Sequence, residues 1–228
     1  MLSKLRVSII IFPGSNCDRD LQVAVKNVFN CQPKLIWHKE SCIKDTDIIF
    51  IPGGFSFGDY LRAGVIATKS PAIKEVKRLS QKKYPIVGIC NGFQILTECN
   101  LLPGALIKNK NTKFLNKDIF LKIKIHKFKK TFNDNEILKL PIAHGQGNYF
   151  INNENLKKIE DNGQIILQYC NNLGIINFDS NPNGSVKNIA GIQNKEGNII
   201  GMMPHPERAI DKENEDGKIF LKNLVNIL

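Results

Sequence analysis

The apolar residues of the first hundred positions come in short, unbroken runs, and such runs read as strands buried on both faces. Residues 7–12, 34–38, 47–51 and 86–89 are of this kind. Stretches with helical spacing lie between them. One covers residues 19–29, with Asp18 as its expected cap; another begins at Ser70-Pro71, a cap followed by proline at the first helical position, and extends to about residue 82. Phe93, Ile95 and Leu96 open a third helix directly after the strand at 86–89. Strand, helix, strand, strand, helix, strand, helix is an order that predicts a parallel sheet with helices on both faces.

The second half reads differently. From residue 119 to 126 the alternation is strict, with Leu121, Ile123 and Ile125 against Lys122, Lys124 and His126, which predicts a strand with one wet face. Residues 164–169, 189–193 and 199–203 are further strands, the last two joined through Glu196-Gly197-Asn198 as a hairpin. Residues 141–148, Pro-Ile-Ala-His-Gly-Gln-Gly-Asn, read as a glycine-rich loop, and Asn181-Pro182-Asn183-Gly184 as a turn. Residues 215–228 form a closing helix with Ile219, Phe220, Leu224 and Ile227 on one side. The expected architecture is α/β: a mixed, largely parallel central sheet flanked by helices on both faces, with additional antiparallel strands in the second half. Its 228 residues fit one domain, spanning 1–228.

Composition excludes some function classes. No apolar run approaches the roughly 20 residues of a membrane span. Lys4 and Arg6 before the first strand imitate a signal peptide, but the apolar core is short and ends at Pro13-Gly14 without a cleavage site, so a cytoplasmic protein is expected. Six scattered cysteines, with no C-x-x-C pair and no histidine at ligand spacing, indicate neither a zinc site nor a disulfide framework. The net charge of +11 is the one oddity. It is spread over lysines without interleaved aromatics, so a solvated surface is favoured over a nucleic-acid platform. The densest basic region runs from Lys108 to Lys130 and would suit an acidic partner or a phosphorylated substrate.

The candidate chemistry centres on Cys90. Gly88, Cys90 and Gly92 repeat the spacing of a nucleophile elbow, with sulfur in place of oxygen, at a strand-to-helix junction. The free N–H groups that begin the helix, that of Asn91 first, favour a thiolate there and can donate to an oxyanion. The spacing alone leaves a second reading open, that of a small core residue. Cys17, near the start of the first helix, is a rival thiol, read as a structural residue of its turn. Gly53-Gly54, after the strand at 47–51, can supply a second oxyanion donor. In Pro204-His205-Pro206-Glu207 the prolines predict extended backbone without helix, which sets Glu207 beside His205 to orient one ring nitrogen and leaves the other for a thiol. His144 is a weaker candidate that lines the pocket; His38 and His126 are assigned to structure or surface.

With these residues in place the chain resembles the class I, triad-type glutamine amidotransferases, whose sheet is flavodoxin-like. The resemblance runs through Phe12 to Asp18, Pro52 to Gly64, Gly88 to Leu106, Ala143-His144-Gly145, Asn181 to Gly191 and Gly201 to Arg208. Phe57-Gly58-Asp59-Tyr60-Leu61-Arg62 and Asn181-Pro182-Asn183-Gly184-Ser185 narrow it to glutaminase subunits serving formylglycinamidine ribonucleotide synthesis in purine biosynthesis. The resemblance implies Cys90 as nucleophile, His205 as general acid and base, Glu207 as its orienter, Gly54 and Asn91 as oxyanion donors and Gln94 as a contact of substrate glutamine. It also implies a large synthetase subunit that carries ATP and magnesium and a small bridging subunit, with no cofactor or metal on this chain. The pattern departs at Gln146, where the family carries Glu, and at Ala63, where Cys is common. Two rivals are a glutaminase serving carbamoyl phosphate, anthranilate or GMP synthesis, and a noncatalytic binding protein on the same scaffold.

Overall fold

Two parallel strands separated by more than a hundred residues of chain run side by side at the middle of the sheet, and the elements around them exist to bring them together. The computed structural model describes residues 5–124 and 137–227. In chain order the elements are β1 (Val7–Ile11), α1 (Asp18–Phe29), β2 (Lys34–Trp37), β3 (Ile48–Ile51), α2 (Pro71–Gln81), β4 (Ile86–Ile89), α3 (Asn91–Glu98), β5 (Ala105–Ile107) and β6 (Leu115–Ile123). There follow β7 (Ile137–His144), β8 (Asn148–Phe150), α4 (Asn153–Asp161), β9 (Ile165–Cys170), β10 (Ile189–Gln193), β11 (Ile199–Met202) and α5 (Asp216–Ile227).

Among the described residues the main sheet has the order β2-β1-β3-β4-β11-β10-β9-β6-β7, and β5 pairs with β8 in a second, two-stranded sheet. Neighbours from β2 to β11 are parallel, and those from β11 to β7 are antiparallel. β4 and β11 lie in register, with Gly88 beside Gly201 and Ile89 beside Met202. These two strands therefore end level with each other. The expected hairpin joins β10 to β11.

Helices bury the stripes that the spacing predicts. α1 buries Leu21, Ala24, Val25 and Val28, and α2 buries Ala72, Ile73, Val76 and Leu79. Each large aliphatic side chain so placed contributes about 1.5–3 kcal/mol. Ser70 caps α2 by accepting from the Ile73 N–H, with Pro71 at the first position. α3 differs in being buried all round from Asn91 to Thr97, packed on β3, β4 and β11. No helix among the described residues is long and apolar enough to cross a membrane.

Several expectations need correction. Asp18 is the first residue of α1, not its cap; Cys17 holds the cap position without a capping bond from its side chain to the helix amides. Residues 141–144 are the end of strand β7, not loop. Pro141 is tolerated because β7 is the edge strand, where a missing N–H costs no ladder bond. β6 begins at Leu115, before the alternating residues. The structure adds α4, capped by Asn152 and burying Leu156 and Ile159, together with the short strands β5 and β8, none of which the sequence pattern predicts. In α5, Phe220 and Leu224 are buried as expected, but Ile219 is 39% exposed and Leu221 takes its place in the core. Lys4, Ile125, His126, the lysines from Lys127 to Lys130 and the side chain of Ile227 lie outside the described residues.

Candidate active site

Cys90 stands between β4 and α3 at φ 51°, ψ −105°, a backbone conformation that side chains rarely adopt. Holding a non-glycine residue there costs about 1–3 kcal/mol and persists only where the surroundings enforce it. Those surroundings are the two flanking glycines. A Cβ on Gly88 would come within 2.6 Å of the Gly92 backbone, and one on Gly92 within 2.0 Å of the Ile51 carbonyl oxygen. The helix start thus lies directly on β3 and β4, and the Cys90 N–H donates to the Met202 carbonyl at 2.7 Å. The amides of the first turn of α3 have no acceptor within the helix and carry its positive end toward the thiol.

His205 arrives from β11, the strand next to β4. Its N–H donates to the Pro141 carbonyl at 2.9 Å, and its ring Nδ1 donates to Glu207 Oε1 at 2.7 Å. Both side chains are 1% exposed. The pairing is as expected but its geometry is not: residues 206–208 form a single 3-10 turn, which proline at the first position permits. Burial opposes protonation of His205, yet the Glu207 carboxylate and the Cys90 sulfur outweigh it and raise the ring pKa to about 10. Its Nε2 has no hydrogen-bond partner, and the Cys90 thiol instead donates to the Ala143 carbonyl at 3.7 Å. The sulfur nonetheless lies near enough to the ring to favour its protonated form.

Gly53 fits between these groups. A Cβ placed there would lie 2.8 Å from His205 Cε1, 3.0 Å from Cys17 Sγ and 3.3 Å from Cys90 Cβ, so Cys90, His205 and Cys17 all border one small space. Gly54, at φ 136°, is pressed against the Gly14–Asn16 turn, where a Cβ would clash with backbone. Asn91 and Gln94 are buried on α3, and both ends of the Gln94 amide are engaged: Nε2 donates to the Gln146 carbonyl at 2.7 Å and Oε1 accepts from Asn91 Nδ2 at 2.8 Å. His144 is buried at the end of β7, with Nδ1 on Asn109 Oδ1 at 3.1 Å and Nε2 unpartnered. Burial first, and the charge of nearby His205 second, lower its pKa to about 4, so it is neutral at physiological pH.

Cys17 lies closer to the site than its sequence context suggests. Its Sγ accepts from Arg208 Nη2 at 3.0 Å, and burial pushes its thiol up to about 12 against the opposing pull of Arg208, which leaves it a poor nucleophile. Donor atoms of Cys17, His205 and Glu207 lie within 4.8 Å of one another. The Arg208 guanidinium already sets a positive charge against that sulfur, a setting unsuited to a metal cation.

Sequence reasoning missed the groups that hold the His144–Gly147 loop. Asn109, fully buried, donates to the carbonyls of His144 and Lys113 at 2.8 Å each and accepts from the Gly147 N–H at 3.0 Å. Asn183 donates to the Gly147 carbonyl at 2.8 Å and to the Tyr169 hydroxyl at 3.2 Å. Asn183 sits in the turn singled out by resemblance; Asn109, among lysines, carries no local signal.

Known proteins resemble this chain over nearly its whole length. Residues 4–218 match the family model for the CobB/CobQ-like glutamine amidotransferase domain. The chain is 49% identical over 225 residues to the phosphoribosylformylglycinamidine synthase subunit PurQ of Pelagibacter ubique, covering 97% of this chain and 98% of that protein. It is 45% identical to the PurQ subunit of Chlorobium chlorochromatii, covering 100% and 99%. Among solved structures, one of PurLQS from Thermotoga maritima contains a chain with TM-score 0.84 and 36% identity, covering 98% of each. A second glutamine amidotransferase of Thermotoga maritima, at TM-score 0.60 and 14% identity over 98% of this chain and 96% of that one, shares the fold alone. The chain belongs to the CobB/CobQ-like glutamine amidotransferase family.

Proposed function

We infer that this chain is the glutaminase subunit of a phosphoribosylformylglycinamidine synthase: it hydrolyses L-glutamine and delivers the ammonia to a synthetase subunit in purine biosynthesis. The observation that carries the mechanism is the strained Cys90 at the level of the buried His205–Glu207 pair, reached from adjacent strands of one sheet. Cys90 Sγ attacks the side-chain amide carbon of glutamine as a thiolate, beside the protonated His205 ring. The oxyanion receives the N–H groups of Gly54 and Asn91. His205 then protonates the departing nitrogen, ammonia leaves, and a thioester remains. Water, deprotonated by His205, attacks the thioester, releases glutamate and restores the sulfur beside a protonated ring. Glu207 holds the ring with Nε2 toward the sulfur throughout.

The relatives' names extend the reading to partners. The Thermotoga structure is of a PurLQS complex; by analogy this chain joins a large synthetase subunit, which uses ATP and magnesium, and a small bridging subunit. Residues 1–228 work as one amidotransferase domain in the cytoplasm. The test is Cys90→Ala in the reconstituted complex. Glutamine-driven synthesis is expected to vanish while ammonia-driven synthesis persists; undiminished use of glutamine removes Cys90 from the mechanism.

A further inference from the structure

The side chain of Asn91, as distinct from its backbone N–H, joins three separate segments around the nucleophile. Its Oδ1 accepts from the Ser56 N–H at 3.1 Å. Its Nδ2 donates to Asp59 Oδ1 at 3.1 Å and to Gln94 Oε1 at 2.8 Å. The Gln94 amide passes the connection on to the Gln146 carbonyl at 2.7 Å. The orientation of the Asn91 amide is fixed by its neighbours: the Ser56 N–H can only donate, so oxygen must face it, and nitrogen faces the carboxylate. Three of its four hydrogen-bonding positions are used, in a side chain that is 1% exposed.

The segment it grips is the continuation of the Gly53-Gly54 loop. That segment is bent through left-handed backbone at Phe57 (φ 55°), Asp59 (φ 52°) and Leu61 (φ 67°), conformations that need an external restraint. Asn91 and the Arg62–Glu98 ion pair supply it from α3. The geometry points to Asn91 and Asp59 as positioning residues: their side chains lock the glycine loop onto the start of α3, and so fix the two proposed oxyanion donors relative to each other and to Cys90. This rests on the glutaminase reading above and adds to it a brace made of side chains that touch neither substrate nor sulfur.

Donor and acceptor identity, more than shape, is what the brace requires, and that makes it testable with near-isosteric changes. Asn91→Asp keeps the bond to Ser56 but turns an acceptor toward Asp59 and Gln94, which are acceptors themselves. In the reconstituted complex its glutamine-dependent kcat is expected to fall about 100-fold, the scale of an ångström-sized misplacement, with KM for glutamine within about threefold of wild type. The double variant Asn91→Asp with Asp59→Asn restores a donor facing an acceptor and is expected to recover at least about tenfold of that loss. Melting temperature and complex formation are measured alongside. Should Asn91→Asp fail to assemble, Asp59→Ala, at a half-buried site, is expected to lower kcat about tenfold at unchanged KM. A kcat within threefold of wild type in Asn91→Asp or, failing that, in Asp59→Ala overturns the brace, as does a double variant no better than the single one. Wild-type complex lacking glutamine-dependent synthesis would instead overturn the glutaminase reading, so the two failures are distinct.

Discussion

Gly53→Ala adds one methyl group at the point where the site is tightest. Gly53 lies outside the left-handed region, so alanine meets no backbone penalty and the effect is purely one of space. The new Cβ would sit 2.8 Å from His205 Cε1, whereas carbon atoms pack at about 3.5–4.0 Å, so the ring or the loop must yield by roughly 0.7 Å. Neither has room: His205 is tied to Glu207 and Pro141, and Cys17 Sγ closes the other side at 3.0 Å. Overpacking of this kind costs about 1–3 kcal/mol, which for a domain of this size lowers the melting temperature by about 2–4 °C per kcal/mol. The displacement of His205 from Cys90 should weigh more on activity, with glutaminase kcat falling about 30- to 100-fold. Gly145→Ala is the matched control, since its Cβ would meet only Phe114 at 3.8 Å. Thermal unfolding and steady-state glutamine hydrolysis in the complex read both effects. A Gly53→Ala protein with wild-type kcat and melting temperature would refute the placement of His205 and Cys90 on either side of this residue.

Stability should depend on pH through His205. Its pKa, raised to about 10, means the protonated ring stabilises the fold fully below about pH 6.5, and that contribution is lost as pH climbs toward 10. Unfolding free energy measured by urea titration should therefore fall from pH 7 to 9.5, and Glu207→Gln should flatten the slope. His144, lowered to about 4, acts in the opposite sense: stability should rise with pH between about 4 and 6.5, and His144→Gln should remove that rise. Glu207→Gln should also cost at least about 100-fold in kcat, because the ring loses the carboxylate that fixes its tautomer. Asn109→Ala strands buried groups of His144 and Gly147 and should destabilise the protein by about 2–4 kcal/mol, as urea titration would read.

The elbow around Cys90 is legible in the sequence because it imposes local requirements: an apolar strand, small residues two positions to each side, and an apolar helix directly after. Gly88 and Gly92 mark those requirements, and the structure gives each a steric reason. His205 and Glu207 are legible from their spacing, although the turn between them is not. Proline forbids the interior of a helix but suits its first position, and the sequence does not say which applies at Pro206. The end of β7 reads as loop because Pro141, Gly145 and Gly147 dominate it; that a proline can close an edge strand depends on the sheet order, which is set by residues far away. Asn91 as a brace is illegible for a similar reason. Its partners Ser56 and Asp59 lie more than 30 residues earlier, and nothing in Asn91's immediate neighbours signals them.

The adjacency of β4 and β11 has a consequence for the order in which the molecule becomes active. The sulfur is made early and the imidazole late, with residues 91–204 synthesised between them. During that interval β4 has only β3 as a neighbour, and the slot that β11 will fill stays open. A nascent or truncated chain that ends before β11 lacks both His205 and the Met202 carbonyl that receives the Cys90 N–H, so under the proposed mechanism it cannot consume glutamine.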